Sequence, residues 1–75
     1  MSRQGPRTLL TAQERAALSL AANGLDLAQI AEALTESPSR VRARLESAQR
    51  KLGARSRLEA VVIAAQTGEI ESADR

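Results

Sequence analysis

Apolar residues recur at helical spacing in four stretches of this chain, and each stretch opens on a capping residue and closes on a glycine or a polar turn. The first carries Ala17, Leu18 and Ala21 on one face, with Leu20 widening the stripe. Thr11 followed by Glu14 reads as a capping box, in which the threonine side chain accepts from a helix-start amide and the glutamate reaches back. Asn23-Gly24 supplies a left-handed stop, so a helix is predicted from about Ala12 to Ala22. Asp26 caps a short second helix whose face is Leu27, Ile30, Ala31 and Leu34. Thr35-Glu36 makes a tight connection. Ser37 then caps a third helix with Pro38 at its first position, where the missing N–H carries no penalty.

In helix three, Val41, Leu45, Ala48 and Leu52 stand at i, i+4, i+7 and i+11, a narrow stripe that predicts the buried face. Ser39, Ala43, Glu46 and Arg50 lie opposite, with Arg42 at one margin and Arg40 and Ser47 toward the other. Gly53 ends this helix and Ser56 caps a fourth. There Arg57, Ala60, Val61 and Ala64 share one face, and Leu58, Val62 and Ala65 a neighbouring one. Gly68 stops helix four, and the chain beyond it is expected to fray except for Ile70, which packs back. Residues 1–8, with their Gly-Pro turn, Arg3 and Arg7, read as a flexible basic arm, one able to reach an adjacent minor groove. The predicted organisation is therefore an arm over 1–8, one all-α four-helix domain over 9–70 and a frayed tail over 71–75.

Composition narrows what such a domain does. Fifteen alanines, ten leucines, three isoleucines and three valines in 75 residues make a thin core of small side chains, which favours helix and close helix approach. A domain this small usually leans on disulfides, a metal or association. With no cysteine and no histidine, association is the device that remains. Their absence also removes the usual nucleophiles and bases, and no acidic pair has catalytic or metal-binding spacing, so neither an enzyme nor a cofactor is expected. The lack of Phe, Tyr and Trp removes the stacking platforms of single-strand and RNA readers but leaves duplex recognition untouched. No apolar run approaches the ~20 residues that cross a bilayer, so a cytoplasmic, nucleoid-associated chain without a membrane partner is expected.

The net charge of +2 conceals an uneven distribution. Between Ser37 and Arg57 stand Arg40, Arg42, Arg44, Arg50, Lys51, Arg55 and Arg57 against Glu46 alone, six net positive charges in twenty-one residues. Both flanks are slightly acidic. A short helix, a tight turn and a second helix with an arginine-rich outer face is the arrangement of a helix-turn-helix, whose second helix enters the major groove. Small Ser39 and Ala43 let the backbone approach base edges, and Arg42 has the reach and fork for guanine or phosphate. Arg40, Arg50 and Lys51 flank the groove, and Ser37 caps a helix start suited to phosphate.

The run Leu10-Thr11, Leu18, Leu20, Gly24-Leu25, Gln29-Ile30-Ala31, Leu34, Ser37-Pro38, Val41-Arg42, Lys51-Leu52-Gly53, Ser56-Arg57, Ala60-Val61, Ala64 and Gly68 resembles the LuxR/GerE-type DNA-binding domain. The resemblance spans roughly Leu9 to Ile70, and its most specific block is Lys51-Leu52-Gly53 with Ser56-Arg57 and Ala60-Val61. It implies that helix three reads DNA and helix four can form a dimer contact. Arg42, Ala43 and Glu46 fall on base-facing positions, with Ser39 beside them, and Ser37, Arg40 and Lys51 on or near backbone-touching ones, with Ser47 and Arg50 alongside. Three departures stand out: Arg44 where His is frequent, Ser47 where Asn is, and Glu36 where a buried Ile is usual. An unpaired carboxylate at 36 would have to escape to solvent.

Each candidate has a plainer reading. Arg42 is otherwise a solvated helix arginine, and Ala43 needs no explanation on an outer face. Glu46 either accepts from a cytosine amino group or pairs with Arg50 one turn on, a contact worth about 0.2–0.5 kcal/mol. Leu58, Val62 and Ala65 form a homodimer contact or belong to the core. The expected function is that of a free-standing bacterial LuxR-type transcriptional regulator binding double-stranded DNA, with helix three over about 38–52. The alternative is an interaction module engaging RNA polymerase or another regulator. It draws on a shorter resemblance of Val41 to Leu52 to sigma-factor region four, and on Glu36 and Glu46 interrupting the surface.

Overall fold

The computed structural model describes residues 9–71. They form four helices, α1 (Ala12–Ala22), α2 (Leu27–Leu34), α3 (Pro38–Lys51) and α4 (Arg57–Thr67), with no strand among the described residues. No described helix is long and apolar enough to cross a membrane. The expected arm over 1–8, with Arg3 and Arg7, and the tail over 72–75 lie outside the described residues. The caps lie where the sequence puts them: Thr11, Asp26, Ser37 and Ser56 each accept the amide three residues on. Two of these caps are reciprocal boxes, Thr11 with Glu14 and Asp26 with Gln29. Each removes two orphan donors from a helix start.

α2 ends on a residue that the sequence pattern did not flag. Thr35 sits in the left-handed region at φ 56 and ψ 48, a conformation that a β-branched side chain rarely adopts. Its neighbours hold it there. The Thr35 amide donates to the Glu32 carbonyl at 3.3 Å and the Glu36 amide to the Ala31 carbonyl at 2.9 Å, while Pro38 fixes the entry to α3. Left-handed geometry costs an L-residue roughly 1–2 kcal/mol, and glycine returns part of that gain through its freer unfolded state. Thr35→Gly should therefore stabilise the domain by about 0.5–1 kcal/mol, seen as a rise of several degrees in Tm. A fall in Tm would mean that the Thr35 side chain makes contacts outweighing its strain.

The core is built around α1 and α3, each of which packs against the other three helices, whereas α2 and α4 do not meet. Its buried apolar residues are Leu10, Ala17, Leu18, Ile30, Ala31, Val41, Leu45, Ala48, Ala60, Ala64 and Ile70. Five of these eleven are alanine, so the helices approach closely but little apolar area is removed from water. Polar contacts between elements carry correspondingly more weight. The end of α4 supplies one that differs from expectation, because the chain does not fray at Glu69. Gly68 turns left-handed at φ 82, the Glu69 amide reaches back to the Ala64 carbonyl at 2.8 Å, and both Glu69 and Ile70 are buried. Glu69 Oε2 then accepts the Leu9 amide at 3.0 Å, joining the two ends of the domain.

Candidate nucleic-acid interface

α3 turns Val41, Leu45 and Ala48 inward, which leaves Ser39, Arg40, Arg42, Ala43, Glu46 and Arg50 exposed along its outer surface. Ser37 Oγ accepts the Arg40 amide at 3.2 Å and lies 3.3 Å from Ser39 Oγ. The Val41 amide bonds the Ser37 carbonyl and Pro38 has no N–H, so the Ser39 amide is the donor of the first turn left facing outward. Glu46 makes no ion pair among the described residues, with Arg50 or with Arg42.

One margin of α3 is held by Glu14 of α1. This carboxylate is buried, yet every part of it is satisfied: Oε1 accepts the Thr11 amide and Lys51 Nζ, both at 2.9 Å, and Oε2 accepts the Ser47 hydroxyl at 2.6 Å. Burial pushes its pKa up, but the Ser47, Lys51 and Thr11 donors outweigh burial and hold the group at about 2. The capping residue visible in the sequence is thus also the clamp between α1 and the second half of α3. Ser47 has turned its proton inward, away from the phosphate role expected of it. Lys51 keeps two N–H donors and an exposed side chain.

At the other end of the same margin, Glu36 does not escape to solvent. Arg44 grips it with Nε at 3.1 Å and Nη2 at 2.8 Å, a two-point pair eight residues apart with both side chains half-buried. The hydrogen bonds from Arg44 lower the Glu36 pKa and raise that of Arg44. The two departures at 36 and 44 therefore answer one another. Their shared oddness in the sequence was the signal that could have found the pair.

Of the basic cluster, Arg44 and Lys51 are tied to carboxylates, Arg55 makes a loose pair with Glu59 at 3.9 Å, and Arg40, Arg42 and Arg50 on α3, with Arg57 at the start of α4, have no ion-pair partner among the described residues. An open cleft of about 350 Å³ between α3 and Glu14 is lined by Arg40, Ala43, Arg44, Ser47 and Arg50. The Arg40 and Arg50 guanidiniums at its wall, unpaired among the described residues, suit a polyanion running along the helix. α4 exposes Leu58 at 74% and Val62 at 45%, outside the core, while Ala65 is half-buried and packs against it.

The model of the family described as bacterial regulatory proteins, luxR family, matches residues 8–64 of this chain. A solved structure of the transcription factor GerE is similar to it with a TM-score of 0.83 at 31% identity, over 91% of this chain and 100% of that one. No curated protein matches the chain.

Proposed function

Since the chain belongs to the luxR family of bacterial regulatory proteins, we propose that it is a sequence-specific regulator of transcription that lays α3 in the major groove of double-stranded DNA. The observation that carries this reading is the unpaired trio Arg40, Arg42 and Arg50 on an exposed helix face whose other cations are neutralised from within. Arg42, Ala43, Glu46 and Ser39 read base edges. Glu46, without an ion pair among the described residues, is available to accept from a cytosine amino group. Arg40 and Arg50, with Ser37, the Ser39 amide and the outer donors of Lys51, hold the phosphates.

Leu58 and Val62, flanked by Ala65, join two copies through α4, which sets two recognition helices on half-sites about 34 Å apart. Such a complex needs no cofactor and works where the nucleoid is, in the cytoplasm. The alternative of a module engaging RNA polymerase or another regulator loses ground, because Glu36 is turned to Arg44 and only Glu46 interrupts the face. Selection of bound duplexes from a random pool tests the proposal. One motif should emerge, and Arg42→Ala should weaken binding to it by about 1–3 kcal/mol while relaxing a single base position. No enrichment of any sequence would remove it.

A further inference from the structure

Arg44 stands at the boundary between the domain's interior and its basic surface. It lines the same cleft as Arg40 and Arg50, within a side chain's reach of anything bound there, yet its donors at Nε and Nη2 are both directed at Glu36. A two-point guanidinium–carboxylate pair fixes the plane of the fork, so those donors cannot serve a phosphate at the same time. The pair is half-buried and screened less by salt than an exposed one. Stability does not require a carboxylate here. Replacing such pairs by apolar groups is often neutral or better. What an apolar residue cannot do is hold Arg44.

We propose that Glu36 is a specificity-determining residue of the DNA interface, because its carboxylate occupies Nε and Nη2 of the Arg44 guanidinium at the cleft wall and withholds one sequence-independent phosphate contact per chain. This rests on the reading of α3 as the DNA-facing helix. Phosphate contacts raise affinity for every sequence alike, whereas base contacts discriminate, so one fewer generic cation widens the ratio between target and bulk DNA. Glu36 acts through Arg44 and does not itself meet DNA.

The test is a salt titration of the full chain on a scrambled 20-base-pair duplex, for wild type, Glu36→Gln, Arg44→Gln and the double variant, with thermal melts confirming the fold of each. Glu36→Gln should steepen the slope of log K against log salt by about 0.9 per chain, an extra loss of roughly threefold between 50 and 200 mM. Arg44→Gln alone should leave the wild-type slope unchanged, and the double variant should return to it. Glu36→Ile should release Arg44 as Gln does and serves if the amide unfolds the turn. An unchanged slope in both folded Glu36 variants overturns the proposal, as does a slope that falls by about 0.9 in Arg44→Gln alone, since Arg44 would then already be on phosphate. Absence of salt-dependent duplex binding by the wild type removes the DNA reading itself, and the proposal with it.

Discussion

Glu14→Ala should lower the stability of the domain by on the order of 3 kcal/mol, because one carboxylate serves both the α1 cap and the clamp to α3. Its loss strips the Thr11 amide and the Ser47 hydroxyl of their acceptor. Lys51 is half in solvent and recovers water, which keeps the cost toward the lower end for a broken ion pair. A chain of 75 residues has a margin of roughly 4–11 kcal/mol, so this single change removes a large part of it. Urea unfolding should show the loss directly, and Tm should fall by more than about 10 °C. A fall of only one or two degrees would mean that the clamp contributes little and the alanine-rich core stands without it.

The same group sets the acid limit of the fold. Its carboxyl titrates near 2 when folded against an ordinary value of 4.5, so the folded state favours the ionised form. That preference is fully present above about pH 5 and is lost as the pH falls through the folded pKa, a contribution on the order of 2–3 kcal/mol across that window. Glu14→Gln should flatten the dependence of stability on pH between 5 and 2, at a lower plateau. A variant whose acid transition matches the wild type would assign the acid limit to other carboxylates.

The sequence and the structure agree where the determinants are local. Each helix start needs a side chain within three residues of the amide it caps, and each apolar stripe is a property of one helix, so Thr11, Asp26, Ser37 and Ser56 could be read in place. Helix three could be oriented for the same reason, since Val41, Leu45 and Ala48 fix which way Arg42 and Glu46 face. The Glu14 clamp could not be read, because its partners lie 33 and 37 residues away and meet it only when α1 crosses α3. Glu36 and Arg44 are eight apart, a spacing that is no neighbour within a helix. They meet because Glu36 lies outside α3 and the strained Thr35 turn aims it back along the helix. Glu69 was hidden by the glycine before it, which signals the end of a helix without saying that the chain then folds back over the core.

These pairings change the number of charges that DNA can feel, and a salt titration should show it. Counting all seven basic residues between Ser37 and Arg57 as phosphate contacts would give a slope of about −6 per chain on non-specific duplex. With the charge of Lys51 compensated by Glu14, and Arg40, Arg42 and Arg50 as the unpaired cations of α3 among the described residues, the expected slope from that helix is about −2.7 for one bound chain and about −5.4 for two. Between 50 and 200 mM salt these correspond to losses of roughly 40-fold and roughly 2,000-fold. Light scattering separates a steep slope produced by a dimer from one produced by a single chain with every cation engaged. A particle of twice the 8.0 kDa chain mass goes with the dimer, and Leu58→Asp with Val62→Asp should return both mass and slope to single-chain values. Replacing Arg40, Arg42 and Arg50 together by glutamine should flatten the slope by about 2.7 per chain while leaving Tm nearly unchanged, since none of the three is held by another described residue. A slope that stays steep after that replacement would place the contact surface elsewhere than α3, and one already flat in the wild type would deny this domain its DNA.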